Sequence, residues 1–219
     1  MEKMNINNLE LIKPLLHLEK EGDFIQIFVL LRKKDQPEGQ KDNHQSVRII
    51  KSYCVESIEY LDKKMPEIIA LCEYFNARAY ININEKSHNN ISLLMMEKLA
   101  SRIRNNVKNQ VNLFDTVSGE LKSKRNRWII DIDTKDERYM QKVITCIEAV
   151  KPFNPDLTNI EPYKIIEEIP TLNGFHLITK PFDVFEFTKY LFISESLIPE
   201  IQKNNPTILY VPSKMFNNE

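Results

Sequence analysis

The sequence predicts a mixed α+β fold, with a largely antiparallel sheet and helices packed on it. Three observations predict it. Short runs of β-branched and aromatic residues are interspersed with longer runs of helical period. Two of the short runs, 163–169 and 175–179, are joined by a stretch from Pro170 to Gly174 that reads as a hairpin turn. No internal repeat or low-complexity stretch breaks the 219 residues, so a single domain over 1–219 is expected.

The elements follow in order. Residues 6–20 read as a short helix carrying Leu9, Ile12, Leu15 and Leu16 at helical spacing. Residues 24–31 read as a strand, 33–46 as a polar loop with Pro37 and Gly39, and 47–55 as a second strand. Residues 56–75 place Ile58, Leu61, Met65, Ile68, Ile69 and Cys72 on one helical stripe. Residues 77–84 alternate as a strand, and 92–107 read as a helix turning Leu93, Met96, Leu99 and Ile103 inward. After a looser stretch, 108–126, residues 128–133 form a nearly all-apolar strand of the kind buried on both faces. A helix is expected over 136–150, closed by Lys151 and Pro152. Beyond the hairpin, 183–191 reads as a helix and 207–211 as the last strand.

The bulk properties exclude several classes. The composition is ordinary for a globular protein, 42% hydrophobic and 28% charged. A net charge of −1 excludes a uniformly basic nucleic-acid coat but allows a local basic groove. Cys54, Cys72 and Cys146 have neither zinc nor disulfide spacing, which points to buried thiols in a reducing compartment. The first residues lack the apolar core of a signal peptide, and the apolar run 27–31 is too short to span a bilayer. A cytoplasmic protein without membrane partners is expected. Gly22, Gly39, Gly119 and Gly174 form neither a dinucleotide-binding fingerprint nor a Walker loop, so any nucleotide is held without a glycine-rich cradle.

The strongest local signal is Trp128-Ile-Ile-Asp131-Ile-Asp133. Strand side chains alternate, so Asp131 and Asp133 share a face, about 7 Å apart. Two carboxylates so placed repel unless a cation lies between them. Mg²⁺ or Mn²⁺ suits such a pair, completing its shell with water and phosphate oxygens. The plain alternative is a strand end reaching solvent, its acids paired with Lys or Arg. Thr134 comes one place too early for the Asp-x-Asp-x-Thr of haloacid-dehalogenase-like phosphatases. Ser118-Gly119 reverses the Gly-Ser that polymerase-β-type nucleotidyltransferases carry.

The second signal is Thr171-Leu-Asn173-Gly174-Phe175-His176, a turn opening an apolar strand. Gly174 allows a positive φ or a close approach to a ligand. His176 at such a turn can donate to a phosphate oxygen. Basic residues cluster at Lys122, Lys124, Arg125 and Arg127, and again at Lys86, Arg102, Arg104 and Lys108. Each cluster reads equally as a phosphate-backbone contact or as solvated surface. Trp128, Tyr80 and Phe175 are candidate base-stacking residues or core aromatics.

Taken in order, IIDID at 129–133 and TLNGFHLI at 171–178 resemble the archaeo-eukaryotic primase superfamily, which includes primase-polymerases. Its pattern is an hDhD/E strand, a small-residue turn with a histidine, then a hydrophobic-Asp strand. The resemblance covers roughly residues 24–212 and implies a primase-like catalytic core. It implies that Asp131 and Asp133 bind Mg²⁺ or Mn²⁺. His176, with Thr171, Asn173 and Gly174, would bind the nucleotide phosphates, and Arg78 on an early core strand would support them. It further implies an NTP or dNTP substrate, a single-stranded template, and a separate helicase or replication protein to open duplexes. The third motif departs: residues 206–212 hold no acid. Asp183 is the nearest carboxylate and the third candidate ligand, although it also reads as a helix cap. Two other classes stay open. One is another metal-dependent phosphoryl-transfer enzyme or nuclease, and the other is a non-catalytic nucleic-acid-binding protein on a related fold.

Overall fold

The structure is a computed structural model that describes residues 5–18, 20–36, 47–107, 112–121, 123, 125–151, 163–194 and 198–217. In chain order the elements are β1 (Ile6–Asn7), α1 (Leu9–Ile12), β2 (Asp23–Arg32), β3 (Val47–Val55) and α2 (Ile58–Phe75). Next come β4 (Arg78–Ile81), β5 (Lys86–Ser87), α3 (His88–Arg104), α4 (Leu113–Glu120), β6 (Trp128–Ile132) and α5 (Glu137–Ala149). The chain continues with β7 (Ile165–Pro170), β8 (Phe175–Thr179), α6 (Val184–Ser194), β9 (Glu200–Gln202) and β10 (Thr207–Val211).

The fold is α+β, as the sequence predicts, and among the described residues every strand pair is antiparallel where a mixed, largely antiparallel sheet was expected. The pairing divides between two sheets rather than one. The first runs β1-β10-β4-β2-β3, with β5 also on β2; the second runs β7-β8-β6-β9.

Helix α2 covers one face of the first sheet. Ser57 caps its start by accepting from the Tyr60 N–H, and Asn76 ends it in the left-handed region. Leu61, Met65, Ile68 and Cys72 pack there against Ile27, Val29, Val55, Ala79 and Ile81. The second sheet is covered by α5 and α6. Trp128, Ile130 and Ile132 of β6 meet Val143, Ile147, Phe187 and Leu191. The side chains between them in sequence turn the other way: Ile129, with Ile178 and Ile169, enters the first core. Strand β6 is therefore buried on both faces, which is why it reads as an unbroken apolar run.

Several expectations are corrected. The helix expected over 6–20 begins instead with strand β1, and its helical part is only α1 and a 3-10 turn, Lys13–Leu15, because Pro14 interrupts it. The loose stretch 108–126 contains α4, and β1, β5 and β9 were not foreseen. The expected polar loop opens with a 3-10 turn, Lys33–Asp35, and its residues 37–46 lie outside the described residues. Helix α3 faces opposite to expectation. Leu93, Met96 and Ile103 are 59, 68 and 64% exposed, while Ile91, Leu94 and Met95 pack with α4. Among the thiols expected to be buried, Cys72 is buried, Cys146 half-buried and Cys54 exposed. Among the described residues no helix is long and apolar enough to cross a membrane.

Candidate active site

Alternation along β6 positions the acids. Ile129 and Asp131 share one face of β6, and Asp133, one residue past its end, lines the same cleft as Asp131; Ile129 is sealed in the first core, Asp131 is partly exposed and Asp133 is open to solvent. The face points into the gap between the two sheets. There a cleft of about 310 Å³ is lined by Leu30, Arg32, Arg78, Tyr80 and Ile208 from the first sheet. Asp131, Asp133, Thr171, Leu172, Asn173, His176 and Gln202 line it from the second.

His176 follows the same rule on β8. It pairs with Asp131 across the strands and shares a face with Ile178. Only 7% exposed, it is held from both sides. Its Nδ1 lies 2.8 Å from Thr207 Oγ1 on β10, and its Nε2 lies 3.3 Å from Asp131 Oδ1. Nε2 is within ion-pair distance of the carboxylate, and Nδ1 shares a hydrogen bond with the Thr207 hydroxyl whose direction follows the ring's tautomer. Gln202 Nε2 on β9 donates to the other carboxylate oxygen of Asp131 at 3.5 Å. Asp131 is thus oriented from both neighbouring strands.

The 171–174 turn is closed by two bonds. The Thr171 N–H donates to Gly174 O at 2.9 Å, and the Gly174 N–H donates to Thr171 Oγ1 at 3.1 Å. A Cβ on Gly174 would fall 1.8 Å from Ile132 O and 2.7 Å from Thr134 N. Only glycine lets the turn press onto the backbone on either side of Asp133. Of the two roles expected for Gly174, positive φ is not observed and the close approach is to the chain itself. Gly174 supports the cleft without lining it.

Arg78 lies on β4, 4% exposed, and donates to Asp35 Oδ1 at 2.8 Å. Its Nε and the second oxygen of Asp35 are buried with no hydrogen-bond partner among the described residues. Burial pushes the neighbouring Tyr80 hydroxyl upward in pKa, while Arg32 and Arg78 act in the opposite sense. The cleft therefore has an arginine side on the first sheet and an aspartate side on the second.

Asp183 is not part of it. It stands at the start of α6, accepts from the Glu186 N–H at 3.0 Å, and does not line the cleft. Capping accounts for this acid. Two expected basic contacts are structural. Lys86 is buried, donating to the carbonyl and hydroxyl of Ser118 at 2.6 Å each, and desolvation pulls its pKa down to about 8. Arg127 is buried and donates to the Leu15 carbonyl. Arg102, Arg104 and Arg125 do not line the cleft, and Lys108, Lys122 and Lys124 lie outside the described residues. Of the three candidate stacking aromatics, Tyr80 lines the cleft. Trp128 is buried edge-on to Phe182, and Phe175 packs into the second core.

Arg32, Gln202 and Thr207 were not foreseen at the site. Arg32 ends a strand that was otherwise read correctly. Gln202 lies on a three-residue strand, and Thr207 reaches His176 from the other sheet.

The donor set bears on a metal. Among the described residues no three His, Cys, Asp or Glu side chains gather into a closed cluster. Two carboxylates opening onto a polar cleft suit an ion that takes few protein ligands and completes its shell from water and substrate oxygens, as Mg²⁺ does. Comparison of the chain with family models, curated proteins and solved structures gives no match.

Proposed function

We propose that this chain is a metal-dependent nucleotidyl transferase of the primase-polymerase kind, acting on a single-stranded template. One observation carries the reading. The segments 131–133 and 171–176, distant in sequence, line the same cleft, opposite Arg78 from a third segment.

Asp131 and Asp133 would hold Mg²⁺ or Mn²⁺. Such an ion, when bound, lowers the pKa of an attacking hydroxyl and neutralises charge on the leaving pyrophosphate. The chain's own groups do the rest. Gln202 and His176 orient the Asp131 carboxylate. Thr207 fixes the His176 ring. Arg32 and Arg78 supply guanidinium donors for phosphate oxygens of an NTP or dNTP, and Asn173 adds an amide. Tyr80 offers a ring face for a base. Duplex opening is left to a separate helicase or replication protein.

Asp183 favours a second reading, because its capping position leaves two carboxylates among the described residues that line the cleft. In that reading the same cleft binds nucleic acid or nucleotide without transfer. Incubation with labelled NTPs or dNTPs, Mn²⁺ and a primed single-stranded template separates the two. Extended products that Asp131→Ala/Asp133→Ala cannot make are expected. Binding without any product favours the second reading, and template degradation points to a nuclease.

A further inference from the structure

An antiparallel sheet covered on one side is expected to be polar on the other. The first sheet departs from this. Beyond Gln26, the face of β2 turned away from α2 carries Phe28, Leu30 and Arg32. Their register partners complete three rows. Phe28 lies between Ser52 and Tyr80, Leu30 between Ile49 and Arg78, and Arg32 beside Val47. The far end of this face is closed by α3 and α4, through Phe24 and the Ser118–Gln26 bond at 2.9 Å. The rows are open at their β3 end, whereas toward β4 Arg78 is buried and Tyr80 packs in part against Ile208, Val211 and Met215. Ile49 is 58% and Val47 40% exposed on β3, the edge strand. The inner end of the same rows is the arginine side of the cleft, where Leu30, Arg32, Val47, Arg78 and Tyr80 are lining residues.

We infer that this open face is a platform for single-stranded nucleic acid, leading from the cleft across β2 and β3 to the sheet edge. The inference rests on the proposed function and names the path of its template. Three features select this occupant. Phe28 and Tyr80 stand directly opposite on neighbouring strands, an aromatic pair on which unpaired bases stack. Leu30, Val47 and Ile49 continue an apolar floor that tolerates any base. Arg32 adds positive charge beside it, while Arg78 is paired with Asp35 and its buried Nε has no partner among the described residues. Charge beside stacking surface is the combination that backbone-tracking, sequence-tolerant binding requires.

The test uses two exposed positions on the platform that do not line the cleft, Ile49 and Ser52. Fluorescence anisotropy of a labelled oligothymidylate is measured on the wild type, Ile49→Glu and Ser52→Glu. Thr145→Glu on α5, over the other sheet, makes the same charge change elsewhere. Binding of an Mn²⁺–nucleotide is measured separately on each protein. The expected result is a loss of about tenfold or more in oligonucleotide affinity for both platform variants. Thr145→Glu stays within about twofold of wild type, and Mn²⁺–nucleotide binding is unchanged throughout. Equal oligonucleotide binding by all four proteins, or none by the wild type, overturns the platform even where the nucleotide still binds. Platform-dependent oligonucleotide binding without Mn²⁺–nucleotide binding upholds the platform and removes the transferase reading instead.

Discussion

His176 and Asp131 stand opposite one another on adjacent antiparallel strands, with Nε2 3.3 Å from Oδ1. The other ring nitrogen is held by Thr207, on a strand of the other sheet. The imidazole therefore links the two sheets at the base of the cleft, hydrogen-bonded to Thr207 and within ion-pair distance of Asp131.

Thr207→Val keeps the shape and removes the hydroxyl, leaving a buried ring nitrogen unsatisfied. Unfolding free energy is expected to fall by about 1–3 kcal/mol in urea titrations, with Thr207→Ser close to wild type. A valine variant as stable as wild type would show that the His176–Thr207 bond contributes nothing.

Gly174→Ala places a Cβ against the backbone that flanks Asp133. The turn and the 132–134 segment must separate, at a cost of about 1–3 kcal/mol. Mn²⁺ affinity is expected to fall as well, because Asp133 moves with that backbone. An alanine variant with wild-type melting and wild-type Mn²⁺ affinity would contradict the role given to this glycine.

The carboxylates divide by position. Asp131→Asn and Asp133→Asn are each expected to lower nucleotide incorporation by at least about a hundredfold with unchanged circular dichroism. Asp183→Ala is expected to lose about 1 kcal/mol of stability through its helix cap and to keep incorporation near wild type. Loss of incorporation in Asp183→Ala, in protein that remains folded, would return this acid to the site.

Lys86 gives the fold a pH dependence. Burial lowers its pKa from 10.5 to about 8. Below about pH 8 the ammonium is charged in both folded and unfolded chains, and the folded state bears the full cost of burying it. Between about 8 and 10.5 the folded lysine is neutral while the unfolded one still binds a proton, so stability rises with pH. Wild type is expected to gain on the order of 3 kcal/mol relative to Lys86→Met across that window in denaturation curves. Parallel curves for the two proteins would show that Lys86 is not desolvated.

Much of this architecture is legible from local pattern. The apolar run broken by Asp131 and Asp133 announces a doubly buried strand whose last acids reach an opening, because strand alternation needs no tertiary knowledge. The turn ending at Gly174 is legible for the same reason. Other features depend on partners far away in the chain. Helix α3 has apolar residues on two faces, and helical period groups Leu93 with Met96 without saying which face meets the chain. Lys86 and Arg127 look like free cations in sequence, yet the carbonyls of Ser118 and Leu15 bury them. Thr207 and Gln202 carry no local mark of the site, since the pairing of separate strands brings them there. No periodicity distinguishes Asp183 as ligand from Asp183 as cap; its bond to the Glu186 N–H does.

The most direct measurement is calorimetric titration of a nucleoside triphosphate with Mn²⁺ into wild type and Asp131→Asn/Asp133→Asn. Saturable binding to wild type is expected, weakened by at least about a hundredfold in the folded variant. Equal binding to both proteins, or none to wild type, would contradict a metal-nucleotide site in the cleft between the sheets.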